Sequence, residues 1–141
     1  MLFRSKKIAV GAGAYYMGTS LDETRFWLFG TPTPETSLEE LDRAIGEVVA
    51  DVVRNGVDAD DLARAKTRLI ADAVYAQDSQ FALARWYGAA LTTGSSIKDI
   101  QEWPARIDAV SADAIKAACA KWLDARRGVT GFLLPQTKDA A

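Results

Sequence analysis

The sequence predicts an α+β domain: a mostly antiparallel sheet with about five helices packed on one face. Three observations carry that reading. A small-residue stretch and an aromatic stretch near the N-terminus read as paired strands. A long middle block places apolar residues at steps of three and four between capping residues. A short apolar run closed by a proline then follows near the C-terminus.

The first strand alternates Ile8, Val10, Ala12, Ala14 and Tyr16 with Ala9, Gly11, Gly13 and Tyr15. Glycine inside a strand weakens it and often marks close approach by another backbone or a ligand. Residues 18–23 supply a polar turn, and Arg25-Phe26-Trp27-Leu28-Phe29 reads as a second strand. That strand is apolar on both faces, so both are expected to be covered. Pro32 and Pro34 are expected to stop it, because proline donates nothing to the ladder.

Ser37-Leu38-Glu39-Glu40 fits a capping box opening the first helix, which carries Leu41, Ile45, Val48, Val49 and Val52 to Asn55-Gly56. Asp58 caps a second, with Leu62, Ala65, Leu69, Ala73 and Ala76 on its expected inner face. Asp78 or Ser79 starts a third, with Phe81, Ala84, Gly88 and Leu91 inward. Ser96 opens a fourth through Ile97, Ile100 and Trp103, where Pro104 is expected to break or kink it. Ser111 caps a fifth, with Ile115, Cys119, Trp122 and Leu123 inward. Val129-Thr130-Gly131-Phe132-Leu133-Leu134 reads as a third strand closed by Pro135. Residues 1–135 thus form a single subdomain, and residues 136–141 a frayed polar tail.

Composition narrows the function. The 141 residues carry 17 basic and 19 acidic side chains, a formal charge of −2, which excludes a strongly basic nucleic-acid binder. No apolar run reaches the roughly 18 residues of a membrane span. Histidine is absent, which removes histidine-based acid–base and nucleophile systems and most catalytic zinc sites. The single cysteine, Cys119, removes any internal disulfide, and its place on a helix inner face reads as a small buried hydrophobe. No catalytic residue and no metal ligand set emerges.

Gly11-Ala12-Gly13 fits no phosphate-binding pattern and lies within a strand, so it reads as structural, with a peptide-accepting edge as the alternative. Asp58-Asp60-Asp61 lacks the other ligands of a calcium loop and suits a helix N-terminus. Arg64, Lys66 and Arg68, with Asp61, Asp72 and Asp78 nearby, read as a solvated charged face.

Taken in order, these segments resemble the pitrilysin/insulinase family of zinc peptidases, specifically the last metallohydrolase-like αβ subdomain of a non-catalytic half. The residues that carry the resemblance begin with Lys7-Ile8-Ala9-Val10-Gly11-Ala12, Tyr15-Tyr16 and Phe26-Trp27-Leu28-Phe29-Gly30-Thr31-Pro32. They continue with Leu62-Ala63-Arg64-Ala65-Lys66-Thr67-Arg68-Leu69, Tyr75-Ala76-Gln77-Asp78-Ser79 and Val129-Thr130-Gly131-Phe132-Leu133-Leu134-Pro135.

In that family a catalytic half carries an inverted H-x-x-E-H zinc motif, which this chain lacks. The resemblance therefore implies a zinc-free part that forms chamber wall and peptide-binding surface. No cofactor is expected in this chain; zinc belongs to the catalytic partner half, in the same polypeptide or a separate one. Many such halves hold substrate through an arginine and a tyrosine, spaced as in L-R-x-x-x-G-L-A-Y. Here Val10 stands at the expected tyrosine, and the segment between Arg4 and Lys7 is shorter than in relatives. Arg4, Tyr15 and Tyr16 are the remaining candidates for substrate contact, with packing of the sheet as the alternative role for the tyrosines. The implied partners are the catalytic half, a peptide substrate and, through exposed sheet surface, a second copy of the chain. The implied compartment is a bacterial periplasm. A scaffold subunit related to processing peptidases, without proteolytic role, is the alternative, and an unrelated α+β binding module a third.

Overall fold

A computed structural model describes residues 8–134 of the chain. Two strands open it, β1 (Ala9–Tyr16) and β2 (Phe26–Pro32), paired antiparallel as a two-stranded sheet. Five α-helices follow: α1 (Leu38–Asn55), α2 (Ala59–Ala76), α3 (Gln80–Thr92), α4 (Ile97–Asp108) and α5 (Ala112–Trp122). A short 3-10 turn, Ala125–Arg127, ends the regular structure. The class is α+β, as the sequence predicts.

In the hairpin, Tyr16 faces Phe26, Tyr15 faces Trp27, Ala14 faces Leu28, Gly13 faces Phe29 and Ala12 faces Gly30. The register slips between Ala9 and Gly11, so Val10 is an extra residue in a bulge. β2 ends at Pro32, as expected, at the end of the ladder, where a missing donor costs least. Thr33 N–H then donates to the Ile8 carbonyl at 3.2 Å, one step beyond Pro32.

α1 lies against β2, and Gly30 explains how. A Cβ there would come within 3.0 Å of Leu41 Cδ2 and 3.3 Å of Ile45 Cδ1, so the bare backbone lets the helix close on the strand. α5 lies against α1, while α2 and α3 both pack on α4.

The helix starts follow local chemistry. Each N-cap side chain, Ser37, Asp58, Ser79, Ser96 and Ser111, accepts from backbone N–H groups two or three residues on. The reciprocal capping box forms at Ser96, where Asp99 N–H donates to Ser96 Oγ at 3.1 Å and Ser96 N–H donates to Asp99 Oδ2 at 2.8 Å. At Ser37 the forward bond to Glu40 N–H forms. α1 ends on Gly56, whose φ of +82° suits glycine. Pro104 lies inside α4 without breaking it.

Four sequence expectations are corrected. Residues 129–134 form no strand, because no neighbouring backbone among the described residues pairs with them. Phe26, Trp27, Leu28 and Phe29 are exposed rather than covered on both faces. α2 turns slightly from its expected phase: Ala65 and Leu69 are exposed, while Lys66 and Ile70 are half-buried. On α3 all four expected inner residues are exposed, and Leu83, Trp86, Tyr87 and Ala90 turn inward instead. The Trp86 ring meets Trp103 of α4 edge-on at 6.0 Å, which fixes that phase.

Burial is shallow throughout. Among the described residues only Ala9, Leu41, Ala90 and Ile100 form a fully buried apolar core. The accessible surface of 11521 Å² is well above the roughly 7,100 Å² of a compact protein of this mass.

Candidate functional site

The hairpin presents two different faces. Gly30, Leu28 and Phe26 alternate toward α1, together with Ala12, Ala14 and Tyr16 opposite them. Tyr15, Trp27, Gly13 and Phe29 share the face turned away from the helix. There the Phe29 ring lies over Gly13: a Cβ at Gly13 would stand 2.5 Å from Phe29 Cζ. The Arg25 guanidinium sits 5.2 Å from the centre of the Trp27 ring, at cation–π range. This is an aromatic surface with a cationic rim, built on small residues that leave the β1 backbone approachable.

Tyr15 and Tyr16, candidates for substrate contact, lie at the end of the hairpin closed by the loop to Phe26, and both are exposed. The alternation of the strand places them on opposite faces, so the structure does not bring the pair together. Tyr15 belongs to the aromatic surface; Tyr16 opposes Phe26 on the helix side. Arg4, the third candidate, lies outside the described residues, as does the expected tail at 136–141. Trp27 and Phe29 are the contributors that the sequence reading passed over. Their signal was the glycine two residues before Tyr15, which in a hairpin calls for a large side chain on the partner strand.

Elsewhere the polar groups act locally. Arg126 hydrogen-bonds and pairs with Asp124, holding that carboxyl down to about 2 from 3.8. Hydrogen bonds from Ser96 hold Asp99 below 3.8, with Arg106 and Lys98 assisting. Lys66 Nζ donates to the Asp108 carbonyl at 2.6 Å, where the end of α4 favours a cation. Arg64 pairs with Asp61 on an exposed face. Cys119 is half-buried rather than fully enclosed, because α1 shields its helix on one side. No group of three or more acidic or cysteine side chains among the described residues is arranged to hold a metal ion. Among the described residues no helix is long and apolar enough to cross a membrane. What the arrangement can do chemically is hold an extended chain, by backbone hydrogen bonds at the edge and aromatic contact on the face.

No protein-family profile matches this sequence. No curated protein matches it either. Among solved structures, the fold is similar to part of a protease from Helicobacter pylori, with a TM-score of 0.76 and 15% identity. The likeness covers 87% of this chain and 29% of that one. It is a likeness of fold, and this chain spans less than a third of the protein it resembles.

Proposed function

We propose that the chain is the zinc-free part of a zinc metallopeptidase of the pitrilysin/insulinase type, forming chamber wall and peptide-binding surface for a catalytic partner half. The observation that carries this reading is the open hairpin: an approachable β1 edge beside the exposed Tyr15–Trp27–Phe29 surface. Such a surface suits holding a peptide rather than cutting it. The fold likeness to a protease supports the reading, as does the absence of histidine. Zinc and the water it activates would come from the partner half. Tyr15 and Tyr16, with Arg4, would contact substrate. The periplasm is the proposed compartment.

The test is to look upstream of and beside this chain for a domain or gene with H-x-x-E-H, and to assay peptide cleavage by that half with and without the chain. Stimulation by the chain, and none by the chain alone, is the expected result. Trp27→Ala should lower that stimulation through KM, by about tenfold for one lost aromatic anchor. A catalytic half equally active without the chain would overturn the proposal in favour of a scaffold.

A further inference from the structure

Two unsatisfied surfaces in this molecule match each other. The first is the stretch 129–134. Val129 is 99% exposed, Leu133 92% and Leu134 70%, and Phe132 is 48% exposed. The last backbone hydrogen bond before it is Gly128 N–H to the Ala125 carbonyl. Its recorded tie is Thr130 Oγ1 to Asp42 Oδ1, at 3.3 Å, beside the Leu41 that packs on Gly30. An apolar stretch with an open backbone is poorly accommodated in water. The second surface is the outer edge of β1. Its backbone pairs with β2 on one side; Gly11 has open space at its Cβ, and Ala12 and Ala14 carry only a methyl group each, while the space over Gly13 is taken by Phe29.

We propose that residues 129–134 add as a strand to the β1 edge of a second copy of this chain, which returns its own strand, giving a reciprocal two-fold dimer. Among the described residues of a single copy the two surfaces do not meet, and a second copy offers each of them the partner it lacks. Phe132, Leu133 and Leu134 would stand beside glycine and alanine, the large-to-small pairing that lets neighbouring strands fill one layer. At roughly 100 Å² for each large apolar side chain, the donated stretch offers on the order of 350 Å². Giving and receiving one such strand buries about 700 Å² per copy, close to the ~800 Å² per partner of a stable interface. Reciprocity also closes the assembly, since each copy uses both surfaces once.

The experiment uses the full chain in sedimentation-equilibrium runs over a concentration series. The expected wild-type result is a monomer–dimer equilibrium without larger species. Leu133→Lys blocks the donor and Val10→Lys the acceptor. Both positions are exposed, so circular dichroism should be unchanged while each variant dimerises at least tenfold more weakly. Mixed one to one, the two variants should form a heterodimer tighter than either variant's own dimer but weaker than the wild-type dimer. The Val10→Lys copy still donates and the Leu133→Lys copy still accepts, leaving one of the two additions intact. A monomeric wild type at the highest concentration would overturn the proposal, and so would association that survives either substitution. A mixture that associates no better than either variant alone would overturn the pairing of this donor with this acceptor. None of these readouts depends on peptidase activity.

Discussion

At the scale of single residues, Gly30 and Asp99 show how little the chain has in reserve. Leu41 is one of four fully buried residues among those described, and Gly30 is the gap that it fills. Gly30→Ala places a methyl group against Leu41 Cδ2, and overpacking of this kind costs about 1–3 kcal/mol. Chemical denaturation should report that loss, whereas Gly11→Ala, with open space at its Cβ, should leave the α1 contact untouched. An equal loss at both positions would mean that the effect is one of strand propensity and not of packing. For Asp99 the sign is set by its bonds to Ser96, which favour the ionised carboxylate. A depressed carboxyl stabilises the fold above its ordinary value of 3.8, and that contribution is lost as pH falls through the lower folded value. Carboxyl NMR should give an Asp99 midpoint below 3.8, returning toward 3.8 in Ser96→Ala. A midpoint at or above the ordinary value in the native protein would show that the box does not persist in solution.

At the scale of elements, the helix starts were legible and the inner faces only partly so. A cap is a local transaction between one side chain and the next turn, so Ser37, Asp58, Ser96 and Ser111 announce themselves from sequence alone. Ser96→Ala removes the Ser96 Oγ half of the capping box, leaving the backbone N–H of residue 96 on Asp99, and should cost about 1 kcal/mol, read as a lower thermal midpoint of the helical signal. The face of α3 was not legible, because Phe81, Leu83, Leu91 and the alanines are apolar all round the helix. Its phase is chosen by the Trp86–Trp103 contact, which lies between elements. Replacing Trp103 with Ala should therefore loosen α3 more than Phe81→Ala does, by hydrogen exchange of the α3 amides. Residues 129–134 failed as a strand for a related reason. Their apolar composition was correctly read, but a strand exists only where another backbone accepts it, and no described part of the chain does so. In the candidate site, Tyr15 and Tyr16 were found from sequence, whereas the Trp27–Phe29 surface needed the register.

At the scale of the whole molecule, the excess surface has a thermodynamic signature. An unfolded chain of this mass exposes about 22,000 Å², and a compact fold would bury about 15,000 Å² of it. With 11521 Å² still accessible, this chain buries only about 11,000 Å², or some seven tenths as much. Denaturant sensitivity follows the area exposed on unfolding, so the urea m-value of the dilute monomer should be about seven tenths of that for a compact 141-residue domain. The heat-capacity change should fall short in the same sense, since the missing burial is largely apolar and apolar exposure dominates that quantity. Pairing with a second copy or a partner half hides surface that the monomer leaves wet. The m-value per chain should then rise with concentration or on addition of that partner, at constant far-ultraviolet signal. A dilute monomer that already shows the full m-value would mean that the exposed hairpin and the stretch 129–134 are covered in solution by the chain itself. The open β1 edge would then lose its standing as a docking surface for either a peptide or a second copy.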